Sequence, residues 1–231
     1  MERIRANIWF DDQAEAAARF YTSLFPEGRI DTVSYYGEAG KEYHKQEPGS
    51  VMTVDFDIAG HGFTALNGGP VFSPNPSISF FVNCTESAEV DRYWNALEPE
   101  GEALMPLDRY PFSQRYGWVE DKYGVSWQLF LSENPISQEI MSCLLFVGER
   151  CGRAEEAMKF YADVFGESRV VQTSRYGEGN GPNDPNHLNY GEVVLQGYHL
   201  VVMDSALDHH FGFTEGVSLI IDCADQAEVD Q

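Results

Sequence analysis

Arg19-Phe-Tyr-Thr-Ser-Leu-Phe25 and Lys159-Phe-Tyr-Ala-Asp-Val-Phe165 carry the same succession of aromatic, polar and aliphatic side chains at an offset of 140 residues (159 − 19). Ser34-Tyr-Tyr-Gly-Glu38 meets Ser174-Arg-Tyr-Gly-Glu178 at that offset. Ser79 to Asp91 meets Ser218 to Asp230 at an offset of 139, which brings Cys84 onto Cys223 and Ala88-Glu-Val-Asp91 onto Ala227-Glu-Val-Asp230. Agreement over three separated segments identifies an internal duplication. The first copy spans residues 1–131, a joint of proline and polar residues covers 132–137, and the second copy spans 138–231. Gln231 aligns with Arg92, so the second copy is expected to be incomplete, lacking its C-terminal strands. Its uncovered strand edge then calls for a partner, from the first copy, from a second chain or from residues beyond Gln231, and a homodimer or an extensive contact between the copies is expected.

Within each copy the hydrophobic period alternates between two values. Ile4 to Phe10 reads as a strand, and Asp12 with Glu15 predicts a capping box at the start of a helix. Ala14, Ala17, Ala18, Tyr21, Leu24 and Phe25 recur at helical spacing, and Ala154, Ala157, Met158, Tyr161, Val164 and Phe165 repeat the stripe. Strands follow at Arg29 to Tyr36, Val51 to Ile58 and Phe63 to Asn67, which completes a βαβββ unit. A second unit opens with Ser77 to Asn83 and continues with a helix carrying Val90, Tyr93, Trp94 and Leu97. It ends in strands near Glu102, Tyr116 to Glu120 and Val125 to Leu131. This order of elements gives the α+β class, with paired antiparallel sheets enclosing a concavity. The stretch Glu100 to Gln114, with Pro106 and Pro111, reads as a long loop, either a lid or a rigid connection.

Composition narrows the partners. The formal charge is −22, from 37 acidic and 15 basic side chains, and a field of that sign repels nucleic-acid backbones and anionic membranes. No apolar run is long enough to span a membrane and no cleavable leader is evident, so a cytoplasmic location is expected. Cys84, Cys143, Cys151 and Cys223 form no CxxC pair and read as reduced thiols. Glycine pairs such as Gly68-Gly69 lead into Pro70 and a loop, so they read as turns and not as the strand-to-helix cradle that commonly holds a methyl donor.

Phe20-Tyr21, Ala65-Leu-Asn-Gly-Gly-Pro70, Ser79-Phe80 with Val82 and Cys84, Asp91 with Trp94, and above all Gly117-Trp118 followed by Asp121-Lys-Tyr-Gly-Val-Ser-Trp-Gln128 resemble one known group. It is the PhnB-like, or 3-demethylubiquinone-9 3-methyltransferase-like, branch of the vicinal-oxygen-chelate superfamily, which includes glyoxalases, bleomycin-resistance proteins and dioxygenases. The resemblance covers both copies and implies tandem glyoxalase-like domains of paired βαβββ modules. It also implies that metal-dependent relatives place ligands on the first and last strands of each module. Those positions here carry Asn7 and Ser79 on first strands, and Thr64 or Leu66 and Gln128 on last strands. None is a carboxylate or imidazole, so no metal and no other cofactor is expected. None of His44, His61, His187, His199, His209 and His210 pairs with another at ligand spacing on one element.

The remaining expectation is a cleft lined by Asn7, Trp9, Asn67, Trp118 and Gln128, suited to a small polar aromatic or amphipathic ligand. Strand alternation lets only one of Trp127 and Gln128 point inward, and the resemblance assigns that role to Gln128, with Trp127 packed on the helix side. Metal-free binding of a small molecule is the leading function. The alternative is an enzyme of the superfamily, of lyase, isomerase or dioxygenase type.

Overall fold

The computed structural model describes residues 3–133 and 138–230, and residues 134–137 of the expected joint lie outside the described residues. The first module comprises β1 (Ile4–Phe10), α1 (Ala14–Leu24), β2 (Arg29–Tyr35), the short α2 (Lys41–His44), β3 (Val51–Ile58) and β4 (His61–Asn67). The next comprises β5 (Ile78–Cys84), α3 (Ser87–Leu97), β6 (Glu102–Tyr110), β7 (Ser113–Glu120) and β8 (Ser126–Leu131). In the second copy, β9 (Ile140–Phe146), α4 (Ala154–Val164), β10 (Arg169–Arg175), β11 (Leu188–Leu195) and β12 (Tyr198–Asp204) precede β13 (Val217–Ile221) and α5 (Gln226–Val229).

These elements form an α+β fold with two mixed sheets, of order β13-β1-β4-β3-β2 and β10-β11-β12-β9-β5-β8-β7-β6. Each module closes by a parallel pair between its first and last strands, β1 with β4, β5 with β8 and β9 with β12. Modules then join by antiparallel pairs of their first strands, β1 with β13 and β5 with β9. The chain accordingly divides into two compact units, Met1–Pro74 with Thr214–Gln231, and Asn75–Phe213. The repeat and the compact units partition the chain differently. The second half of copy one shares its sheet with the first half of copy two, and the 132–137 joint falls between two strands of one unit.

Helix packing follows the periodicity. α1 buries Ala14, Ala17, Ala18 and Tyr21 against β3 and β4, and the three alanines let the helix backbone approach the sheet closely. Tyr21 stacks on Phe56, which stacks on Phe63. α3 buries Val90, Tyr93 and Leu97. In α4 only Ala154 and Met158 of the expected stripe are buried, while Val164 is 59% exposed.

Two local expectations are corrected. Asp12 and Glu15 do not form a capping box, because the side chain that satisfies the first turn of α1 comes from β4: Asn67 Oδ1 accepts from Ala14 N at 2.8 Å. The stretch from Glu100 to Gln114 is not a loop or lid but the hairpin of β6 and β7. Proline is tolerated there since β6 is the sheet's edge strand, and its pairing with β7 is broken by register shifts between Ala103 and Met105, Met105 and Asp108, and Asp108 and Tyr110.

Candidate functional site

In the unit formed by Met1–Pro74 and Thr214–Gln231, burial along β1 alternates, so Ile4, Ala6, Ile8 and Phe10 face α1 while Arg5, Asn7 and Trp9 face away from it. Register extends that open face across the sheet. Ser218, Asn7, Thr64, Asp55 and Thr32 are successive partners on β13, β1, β4, β3 and β2. Their side chains are linked in part: Asn7 Nδ2 donates to Ser218 Oγ at 3.2 Å, Arg5 Nε to Thr64 Oγ1 at 3.1 Å, and Thr64 Oγ1 to Asp55 Oδ1 at 2.6 Å. Arg5 also pairs with Asp222. Trp9 lies beside this row. Its Nε1 donates to Gly69 O at 2.7 Å, and its ring meets Phe72 edge-on at 5.1 Å. A Cβ at Gly68 would sit 2.1 Å from the Trp9 ring. The glycine pair thus seats an indole, and β5 follows it with no helix between.

Asn67, expected in the cleft, is on the other face. Phe10 and Asn67 are register partners, so Asn67 points toward α1, and its Nδ2 donates to Val51 O at 3.0 Å while Oδ1 caps the helix. The same device recurs in copy two, where Asp204 accepts from Gly152 N, Ala154 N and Leu188 N at 2.7–3.1 Å. Tyr36 and Tyr176 donate to the backbone oxygens of Asn67 and Asp204 in turn.

Trp118 and Gln128 belong to the unit Asn75–Phe213, whereas Asn7, Trp9 and Asn67 belong to the first. Trp118 and Gln128 are register partners on β7 and β8. Gln128 is 4% exposed, accepts from Tyr116 OH at 2.7 Å and donates Nε2 to Ser79 Oγ at 2.8 Å. Trp127 is fully buried on the helix-facing side, its ring tilted at 44° to Phe80 with centroids 5.3 Å apart, and it donates to Asp121 Oδ2 at 2.9 Å. Around Gln128 the face turned from the helices is filled from within by Phe81, Tyr116, Met141, Cys143 and Val201, rimmed by half-buried Met105, Tyr110, Trp118, Phe130, Tyr190 and Met203.

The row in this sheet that matches Thr32, Asp55, Thr64, Asn7 and Ser218 reads Gln172, Glu192, Val201, Cys143 and Ser79. Cys143 is buried, and burial pushes its thiol up to about 12, so it is protonated near neutral pH and a poor metal ligand. Among the described residues no three His, Cys, Asp or Glu side chains come together as a metal-binding group.

Reading the sequence alone missed one buried, hydrogen-bonded pair of titratable side chains. Glu192 Oε1 lies 2.7 Å from His199 Nδ1, and Tyr190 OH donates to Glu192 Oε2 at 3.2 Å. The hydrogen bond from His199 holds the Glu192 carboxyl below its ordinary 4.5 against the opposing effect of burial. A carboxyl depressed in the fold contributes stability above its unfolded pKa and loses it as pH falls through the folded value. Denaturant unfolding of the wild type is therefore expected to weaken more steeply below pH 4.5 than that of Glu192→Gln. Parallel curves for the two proteins below that pH would count against the pairing.

Helix-backed mixed sheets built from βαβββ modules that join through their first strands define the glyoxalase-like, vicinal-oxygen-chelate class. Maize glyoxalase I shares this fold, with a TM-score of 0.56 over 88% of this chain and 68% of that chain at 10% identity. The chain belongs to the 3-demethylubiquinone-9 3-methyltransferase (PhnB-like) family, whose profile matches residues 2–130 and 138–231. A PhnB protein from Bacillus cereus is 38% identical over 57% of this chain and 100% of its own, with a TM-score of 0.52. A search of curated proteins gave no match. Among the described residues no helix is long and apolar enough to cross a membrane.

Proposed function

We propose that this PhnB-like chain binds a small, polar aromatic or amphipathic molecule without a metal, on the open face that carries Asn7 and Trp9. The observation that supports this best is the row Ser218, Asn7, Thr64, Asp55: neutral amide and hydroxyl groups stand on the first and last strands, beside an indole held in place by Gly69 O. Such a face offers hydrogen bonds and a flat apolar wall; the row's one carboxylate, Asp55, already accepts from Thr64, and Asp57, two residues on along the same face, pairs with Arg29. Trp118 and Gln128 are support residues of the other unit in this reading, since the groups bonded to them are internal.

Metal analysis by inductively coupled plasma mass spectrometry, combined with native mass spectrometry, tests the proposal. Well under one equivalent of any divalent metal per chain is expected. A stoichiometric zinc, nickel or iron lost in Asn7→Ala or Gln128→Ala would defeat it. For a ligand recovered from the native spectrum, Trp9→Ala is expected to weaken binding by about tenfold or more, the loss of one aromatic contact. The working form in this proposal is a cytoplasmic homodimer, in keeping with four free cysteines and with Phe160, Val164 and Val170 exposed on α4 and β10. Sedimentation velocity decides the assembly.

A further inference from the structure

Glu192 and His199 lie on the same face as Val201 and Tyr190, which belong to or pack on the Phe81–Tyr116–Met141 cluster. The hairpin places them there. Leu195 pairs with Tyr198 across Gln196-Gly197, both at positive φ, so Val194 meets His199, Glu192 meets Val201, and Glu192 and His199 become diagonal neighbours. Glu192 is 6% and His199 9% exposed, and a charge this deep persists only with partners. The carboxylate has two, His199 Nδ1 and Tyr190 OH, while Arg169 adds a more distant favourable charge. Gln172, the register partner of Glu192, interacts with Tyr190, and the Cys143 thiol lies on the same side. Beyond the bond at Nδ1, no described residue is bonded to the His199 ring. The ring is held through one nitrogen, with the other left for a ligand.

We propose that Glu192 and His199 form a second site, a proton-accepting dyad for a small molecule that bears a weakly acidic hydroxyl, phenolic or enolic, on a flat apolar body. Half-buried Met105, Tyr110, Phe130, Tyr190 and Met203 supply apolar, adaptable surface for that body. In the step itself the ligand O–H bond breaks, its electron pair stays on oxygen, and the proton passes to His199 Nε2. The products are a bound oxyanion and an imidazolium whose charge Glu192 balances. Glu192 acts as the positioning residue, fixing Nδ1 as the protonated nitrogen and stabilising the cation that forms. The proposal is independent of the ligand face at Asn7 and Trp9.

4-Nitrophenol is a suitable probe because its phenol and phenolate absorb at different wavelengths. Titrated with the full chain at a pH where free probe is mostly neutral, it is expected to show a phenolate excess that rises with protein to saturation, about tenfold over the free ionisation ratio. His199→Gln is expected to abolish the excess. Glu192→Gln, which keeps the shape of the pair, is expected to reduce it severalfold and serves as the second variant if His199→Gln does not fold. A saturable excess that both folded variants lose or diminish supports the dyad. No excess with the wild type, whether the probe stays unbound or binds as the neutral phenol, overturns it. So does an excess unchanged in the variants.

Discussion

Asp204→Ala is expected to destabilise the protein by about 3–5 kcal/mol, among the largest effects of any single polar substitution in this chain. Asp204 is 1% exposed, and its two oxygens take three backbone N–H groups, from Gly152, Ala154 and Leu188. Alanine leaves all three donors without an acceptor, two of them at the start of α4, where the first turn has no intrahelical partner to offer. The comparison with Asn67 sharpens the test. There the amide does two unlike jobs, accepting from Ala14 N and donating to Val51 O, so Asn67→Asp sets a carboxylate against a carbonyl oxygen. At Asp204 both oxygens accept, so Asp204→Asn sets an amide N–H against Leu188 N–H. Each of these isosteric exchanges is expected to cost about 1–2 kcal/mol, less than Asp204→Ala. Urea midpoints at constant slope provide the measurement. An Asp204→Ala protein within about 0.5 kcal/mol of wild type would remove the shared capping device from the account.

That device marks where sequence reading stops. The repeat, the two βαβββ patterns of the first copy and the alanine stripe of α1 are properties of spacing, and spacing is visible in a linear chain; the choice of Gln128 over Trp127 as the inward residue came from the family resemblance. Which module joins which is not, because β1 meeting β13 and β5 meeting β9 depends on pairing between strands far apart in sequence. The five expected cleft residues were drawn from one copy, yet that copy contributes to two compact units. Asn67 went astray for a smaller reason. The tight turn Ala59-Gly60 fixes Ile58 opposite His61, and counting from there puts Phe63, Ala65 and Asn67 on the helix side. Glu192 and His199, seven residues apart, would share a face of a helix but not of a single strand, and they stand on two strands. They meet only because a two-residue turn at Gln196-Gly197 sets the register, and Gln-Gly is a weaker turn signal than Asn-Gly. Pro106 and Pro111 argued for a loop, and the edge position of β6 removed the objection to a strand at Pro106.

Trp127→Ala is expected to cost about 3–5 kcal/mol. Trp127 is the largest fully buried side chain of the chain's described residues, and its neighbours Phe80 and Leu129 belong to adjacent positions of β5 and β8, which cannot move inward without breaking the parallel ladder between those strands. The cavity therefore persists, and the cost lies toward the upper end for a large aromatic. A second loss adds to it. Asp121, 3% exposed, accepts from Tyr123 N and Val125 N through Oδ1 and from the Trp127 indole through Oδ2, and this carboxylate is what folds the Asp121 to Gly124 turn back onto β8. Trp127→Phe separates the two contributions. It fills most of the cavity yet removes the indole N–H, so it is expected to cost about 1.5–3 kcal/mol, the range for a hydrogen bond to a charged group. If Asp121→Asn is then made in both backgrounds, the coupling between the positions should largely vanish in the phenylalanine protein, because the bond that carries it is gone. Equal costs of Asp121→Asn in both backgrounds would show that packing alone fixes Trp127. In that case the Trp-Gln pair that closes the sheet owes its orientation to strand alternation and volume, and Asp121 serves only its own turn.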